Sequence, residues 1–149
     1  MHSLPSITVI TPCLNAVDTV ERTIESVLGQ DYRELQYLVI DGKSSDGTQE
    51  ILRRYEDRDE RMTVVSRSDN SMTEALNRGL HMAEGTIIGS LNADDWYEDG
   101  ALQKVGKRHR RDPFACIVGN TRYVRENGNV MYIRRPWLSA WPAAWHLMG

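Results

Sequence analysis

Asp94 and Asp95 stand side by side at the end of an apolar, β-branched run, Thr86-Ile87-Ile88-Gly89-Ser90-Leu91-Asn92-Ala93, and no basic residue neighbours them in sequence. Two like charges about 4 Å apart repel by roughly 1 to 4 kcal/mol, more as water is withdrawn. A fold therefore keeps such a pair where a cation or a donor-rich ligand offsets it. A hard divalent ion that retains some of its waters and takes one or two carboxylates beside substrate phosphates suits the arrangement. A solvated Asp-Asp turn capping the next helix suits it too, so residues elsewhere must decide.

The elements that would position this pair alternate. Ile7-Thr8-Val9-Ile10 reads as a first strand, stopped at Thr11-Pro12 because proline cannot donate to a ladder. Asp18 and Glu21 read as a capping box, followed by Val20, Ile24, Val27 and Leu28 at helical spacing from about Thr19 to Gly29. Leu38-Val39-Ile40 is a second strand, ending at Asp41-Gly42-Lys43-Ser44-Ser45-Asp46-Gly47. Asp46 with Gln49 is expected to cap a second helix that buries Ile51, Leu52 and Tyr55. Met62 to Ser66 is a third strand. A third helix shows Met72, Ala75, Leu76, Gly79, Leu80 and Ala83 on one face and stops at Glu84-Gly85. The fourth strand delivers the acidic pair. A helix from about Asp99 to Arg111 ends in Lys107-Arg108-His109-Arg110-Arg111, a solvated cationic terminus favoured by the helix dipole, with an anionic membrane surface as the alternative contact. Ala115 to Gly119 is expected as a fifth strand, and Asn127-Gly128 between Arg122–Arg125 and Val130–Arg134 predicts a hairpin. Trp137, Trp141 and Trp145 recur every four residues, but Pro142 argues against an unbroken helix. Those aromatics call for a partner surface, either packed protein or a membrane interface.

Alternating strands and helices predict an α/β fold: a Rossmann-like, doubly wound, mostly parallel sheet with a C-terminal β-hairpin. Ligands in such sheets sit beyond the carboxyl ends of the strands, where the strand order reverses. The polar loops Thr11 to Asn15, Asp41 to Gly47, Arg67 to Ser71 and Asn92 to Asp95 all follow strands and gather on that edge. With strands ordered 3-2-1-4, the acidic pair faces Pro12 to Asn15 across the crevice. Neither G-x-G-x-x-G nor a Walker lysine motif follows strand one, so phosphates would be held through a metal. Asp41 could offer an oxygen to an N–H or a ribose hydroxyl, or cap its own turn at Gly42.

The 149 residues and formal charge of −3 fit one ordinary globular domain and point to no nucleic-acid partner. Two distant cysteines, Cys13 and Cys116, suit a reduced compartment better than a disulfide framework. The first residues lack the basic-then-apolar pattern of a secretory leader. A cytoplasmic chain is expected, with peripheral contact at the inner face of the membrane as an extension of that expectation.

Four blocks resemble the family 2 glycosyltransferases of the GT-A (nucleotide-diphospho-sugar transferase) fold. They are Ile7 to Asn15, Val39 to Thr48, Ser68-Asp69-Asn70-Ser71 through Asn77-Arg78-Gly79, and Leu91-Asn92-Ala93-Asp94-Asp95-Trp96-Tyr97. The resemblance implies an inverting transfer of sugar from a nucleotide diphosphate sugar, UDP-sugar favoured, to a hydroxyl of a glycan or lipid-linked acceptor, with Mn²⁺ or Mg²⁺. It implies nucleotide contacts at Pro12, Leu14, Asn15, Asp41 (the base), Asp69 and Asp94, with Asp95 as the metal ligand. Lys43 departs from the pattern, since a small residue is usual there, and Ser71 and Glu74 replace the commoner Gly and Asp. No residue matches the family's general base. Residues 1–135 are therefore expected to form a donor-binding domain and 136–149 the start of an acceptor segment cut short. A non-catalytic nucleotide-sugar module is the alternative. A phospho-receiver domain, also doubly wound, would carry its acidic pair after strand one instead.

Overall fold

A computed structural model describes residues 4–68, 71–113, 116–125 and 127–134. Two units are distinguished, Met1–Lys107 and Arg108–Gly149. The first contains a four-stranded parallel sheet in the order β3-β2-β1-β4, built from β1 (Ile7–Cys13), β2 (Leu35–Asp41), β3 (Met62–Ser66) and β4 (Ile87–Ser90). The expected order 3-2-1-4 is the observed one. Helices α1 (Val20–Leu28), α2 (Thr48–Glu56) and α3 (Met72–Met82) connect the strands, and α4 (Ala101–Arg111) follows β4.

The two faces of the sheet follow from the two-residue period of β1. Ile7, Val9 and Cys13 join Val20, Ile24 and Val27 of α1 and Leu52 of α2 in one core. Ile10 turns the other way and packs with Leu38, Ile40 and Ala75 of α3. A methyl at Gly79 would run into the side chain of Ile10, so α3 lies against β1 at a distance only glycine allows. Of the face expected for α3, Ala75 and Gly79 are buried, whereas Met72 and Leu80 are exposed.

Three expectations for the first unit need correction. β1 does not stop before Pro12; it continues to Cys13, with Pro12 opposite Ile40. The Ile7 amide donates towards β2, to Glu34 O, so by alternation position 12 faces β4, and β4 has already ended opposite Ile10. The missing N–H thus falls where no neighbouring strand needs it. The capping box Asp18/Glu21 does not form. The cap is Thr19, without a side-chain bond, because the Ala16 carbonyl accepts from both the Thr19 and Val20 amides, while Glu21 pairs with Arg54. At α2, Asp46 bonds the Thr48 amide from one residue before the Gly47 cap, but Gln49 donates to Ser44 O and does not reciprocate.

In the second unit, β5 (Thr121–Val124) and β6 (Val130–Arg134) form the expected antiparallel hairpin, with Gly128 at positive φ in its turn and Tyr123 stacked on Tyr132 at 4.4 Å. Cys116 to Gly119 is not a strand: no ladder partner stands beside it among the described residues, and Val118 is exposed. Ala115 and the tryptophans Trp137, Trp141 and Trp145 lie outside the described residues. Among the described residues no helix is long and apolar enough to cross a membrane.

Candidate nucleotide-sugar site

A cavity of about 520 Å³ opens at the carboxyl edge of the sheet. Pro12 to Ala16 form one wall, Gly42 lies at its back, Ser71, Met72 and Ala75 of α3 close another side, and Asn92 to Asp94 bring the acidic segment to its rim. Of the residues singled out from sequence, Pro12, Leu14, Asn15 and Asp94 thus share one cavity, and Asp95 is the next residue along the chain from it. Asp69 lies outside the described residues.

Asp41 is placed differently. Its side chain is completely buried and borders a smaller hollow of about 150 Å³ with Gln49, Arg53, Glu56 and Ser66. One oxygen accepts from the Ser44 hydroxyl at 2.5 Å, the other from the Ser66 hydroxyl at 2.6 Å, and the Ser44 amide reaches both at 3.1 and 3.3 Å. Four donor contacts fill the usual accepting capacity of a carboxylate. The Ser44 hydroxyl in turn accepts from the Asn15 amide, so Asp41 ties the loop after β2 to the loop after β1.

Three further bonds hold those two loops together. Asn15 Oδ1 accepts from the Ser45 amide, Thr48 Oγ1 from the Ala16 amide, and Asp46 from the Val17 amide. The Asp46 carboxyl is held below the usual carboxylate range, chiefly by the Thr48 hydroxyl. Asn15 and Lys43 both adopt left-handed backbone, at φ of 49° and 69°. Asparagine tolerates this conformation, but lysine has no such preference, which gives a physical reason for a small residue at position 43. Cys13, on the cavity wall, is buried, and burial with the charges of Asp41 and Asp46 pushes its thiol up to about 12, which disfavours the thiolate a nucleophile would need.

Along the acidic segment Leu91 and Ala93 are buried, while Asn92, Asp94 and Asp95 are exposed. Burial, and then the charge of Asp94, raise the carboxyl of Asp95 above its ordinary value, with the Asn92 amide at 3.5 Å acting weakly the other way. The paired anions are therefore within electrostatic reach of each other, and among the described residues neither forms a salt bridge with lysine or arginine. Among the described residues no group of three or more His, Cys, Asp or Glu is placed to hold a metal ion. The donor set is two carboxylates at a cavity mouth, too few to enclose an ion yet suited to a hard cation whose other positions are filled by water and phosphate oxygens.

Reading the sequence missed what fastens this segment. Thr23 of α1, 1% exposed, places its hydroxyl 2.9 Å from Ala93 O and 2.8 Å from Asp95 O. Ser26 accepts from the Tyr97 amide, and Gln30 donates to Glu98 O and accepts from the Leu102 amide. Arg22 lies over the Trp96 ring, 3.3 Å from its centroid. Polar residues at 23, 26 and 30, one helical face apart from the apolar Val20-Ile24-Val27 stripe, were the available signal.

A doubly wound parallel sheet with a cavity at its carboxyl edge and an acidic pair after β4 is the architecture of the GT-A glycosyltransferases, and solved structures agree. The chain superposes on S. aureus TarS with a TM-score of 0.66 over 71% of this chain and 20% of that one, at 22% identity, a likeness of fold. It superposes on the mannosyltransferase PcManGT from Pyrobaculum calidifontis, solved with GDP-Man and Mn²⁺, with a TM-score of 0.69 over 82% of this chain and 36% of that one, at 29% identity. Residues 8–147 match the family described as Glycosyl transferase family 2, and the chain belongs to that family. TuaG of Bacillus subtilis (strain 168), assigned as a teichuronic acid biosynthesis glycosyltransferase, is 40% identical over 101 residues, 67% of this chain and 40% of TuaG. The chondroitin synthase of Pasteurella multocida (strain Pm70) is 25% identical over 132 residues, 88% of this chain and 14% of the synthase. The chain thus spans less than half the length of these relatives.

Proposed function

We propose that this chain is the donor-binding part of an inverting glycosyltransferase of polysaccharide or glycan synthesis, and that its cavity takes a nucleoside diphosphate sugar, UDP-sugar favoured. The observation that carries the reading is the meeting, in one cavity, of the segment Pro12 to Ala16 with Asp94, whose neighbour Asp95, like Asp94 itself, has no salt bridge among the described residues. Pro12, Leu14 and Asn15 would frame the nucleoside, and Asp69 would help to close the pocket. Asp41 would meet the base only if a hydroxyl, such as that of Ser66, turned away from it. The complexes of relatives support the ligand class: PcManGT was solved with GDP-Man and Mn²⁺ and TarS with UDP.

Asp95, with Asp94 beside it, would hold a divalent ion, Mn²⁺ or Mg²⁺. When bound, such an ion neutralises charge on a diphosphate leaving group. The rest is the chain's own work: Asp94 and Asp95 present oxygens at the rim, and the wall from Pro12 to Ala16 excludes water from one side of the ligand. A glycan or lipid-linked hydroxyl would be the acceptor, approached from a cytoplasmic location at the inner face of the membrane.

A second reading, a nucleotide-sugar module without transfer activity, is favoured by one observation. Asp94 is the only carboxylate among the described residues that line the cavity, which leaves no second acid there to deprotonate an acceptor. Titration calorimetry with UDP and with GDP, with and without Mn²⁺, tests the shared core of both readings. Mn²⁺-dependent binding is expected, weakened more than about 100-fold, or ~2.7 kcal/mol, in Asp95→Ala. Identical titrations for the two proteins would reject the assignment, and hydrolysis or transfer of a sugar nucleotide by the same chain separates enzyme from module.

A further inference from the structure

The acidic segment is braced from one side. β4 is the edge strand of its sheet, paired on one side only, and beyond Ser90 the chain turns away from β1 although β1 runs on to Cys13. After Leu91, whose amide donates to Ile10 O, the described hydrogen bonds from the segment to the rest of the fold run to α1. Thr23 is the centre of that brace. Its single hydroxyl proton is shared between the carbonyls of Ala93 and Asp95, a three-centre bond that draws both towards the helix. Those carbonyls belong to the peptide planes just before Asp94 and just after Asp95, so holding them brackets the pair and constrains the stems of both carboxylates while the carboxylates stay exposed. Ser26, about one turn further along α1, and Gln30, just past its end, hold the Tyr97 amide, Glu98 O and the Leu102 amide, and so keep the continuation of the segment beside the helix.

On the reading that this pair binds a cation with a nucleoside diphosphate, we propose that Thr23, supported by Ser26 and Gln30, is a positioning residue that sets where the two carboxylates meet the ion. A purely structural threonine would be replaceable by valine, which has the same shape, with a loss of stability alone. A positioning threonine is not, because two carboxylates give a cation so few contacts that displacing one matters: partners that orient metal ligands cost about 10- to 100-fold in affinity when removed.

The test uses the 149-residue chain with UDP, and GDP in parallel, titrated with Mn²⁺ by calorimetry, and the same nucleotides titrated in EDTA. Thr23→Val is expected to weaken Mn²⁺ binding in the nucleotide complex about tenfold, and to leave nucleotide affinity in EDTA within about twofold. Thr23→Ser, which keeps the hydroxyl and drops the methyl, is expected to bind Mn²⁺ like the parent. Parent-like Mn²⁺ affinity in Thr23→Val overturns the proposal. Equal losses with and without Mn²⁺ overturn it too, since they signal general damage to the cavity. Should Thr23→Val not fold by circular dichroism, Ser26→Ala carries the same comparison, with a loss approaching about tenfold expected and no loss counting against it. A parent chain that binds nucleotide without any Mn²⁺ dependence, or not at all, would instead remove the reading of the site on which this inference stands.

Discussion

The ends of β2 and β4 carry the same functional group in opposite surroundings. Asp41 is fully buried, and every accepting position of its carboxylate is taken by Ser44 and Ser66. Asp95 stands open to solvent, its side chain has the Asn92 amide at 3.5 Å as its only hydrogen-bond partner among the described residues, and partial burial and the charge of Asp94 push it towards its neutral form. Saturating a carboxylate makes it a strut; leaving it short of donors beside another anion makes it a site that something positive must complete. The backbones follow suit. The loop after β2 is latched to the loop after β1 by Asn15, Ser44, Asp46 and Thr48, whereas the acidic segment after Leu91 is held chiefly by Thr23 and Ser26 of α1.

The largest effect that sharpens this contrast is on stability. Asp41→Ala leaves the Ser44 amide and the hydroxyls of Ser44 and Ser66 without their acceptor and opens a void, which is expected to cost about 3 kcal/mol. Urea unfolding midpoints measure it. If Asp41→Ala keeps its midpoint and loses nucleotide affinity instead, Asp41 is a ligand-contacting group and the contrast between the two strand ends breaks.

How much of this contrast sequence could show depends on which forces act locally. The β-branched runs before Thr11 and Asp41 announce buried strands, whereas the run before Ser90, expected to be buried too, is an edge strand with Ile88 exposed; polar loops after each of them place the cleft, because strand and loop composition are local matters. Pro12 inside β1 was not legible, since its place depends on β4 stopping opposite Ile10. The start of α1 near Thr19 was legible, but its cap was not: the Ala16 carbonyl does what a capping side chain was expected to do. The saturation of Asp41 needs Ser66, 25 residues away, and the bracing of Asp95 needs Thr23, 72 residues away. Partners of that separation leave no local pattern; only a buried threonine beside an apolar stripe hints at them.

Asp95→Asn makes the second, smaller test. Charging Asp95 is unfavourable in the folded chain, so its raised carboxyl costs stability; that cost is absent below the ordinary carboxylate range, about pH 4, and complete once the pH exceeds the raised value. Removing the charge at pH 7 should therefore stabilise the metal-free chain, by less than about 1 kcal/mol because the group is largely solvated, and the gain should vanish in acid. Adding Mn²⁺ and UDP should reverse the order, since only the parent gains from binding. Melting the two proteins at pH 7 and below pH 4, with and without the ligands, gives all of these differences; a metal-free parent no less stable than Asp95→Asn at pH 7 would mean the pair is not strained.

The smallest expected effect concerns Lys43, which sits between the two regions' chemistry: an exposed cation on the latched loop, one residue from the cavity wall at Gly42. Its left-handed backbone costs about 1 kcal/mol for a residue with a Cβ. Lys43→Gly removes that strain and adds freedom to the unfolded chain, two terms of similar size and opposite sign. A net change in stability within about 0.5 kcal/mol is expected. Nucleotide affinity then decides what the strain is for. A lysine held in this conformation merely by the loop predicts unchanged affinity for UDP in Lys43→Gly. A lysine whose ammonium lies along the diphosphate predicts a loss that shrinks as salt is raised, because an exposed charge acts through screened solvent. In the second case the rigid loop, too, contributes a charge to the ligand, and the division between strut and site runs through side chains instead of between strand ends.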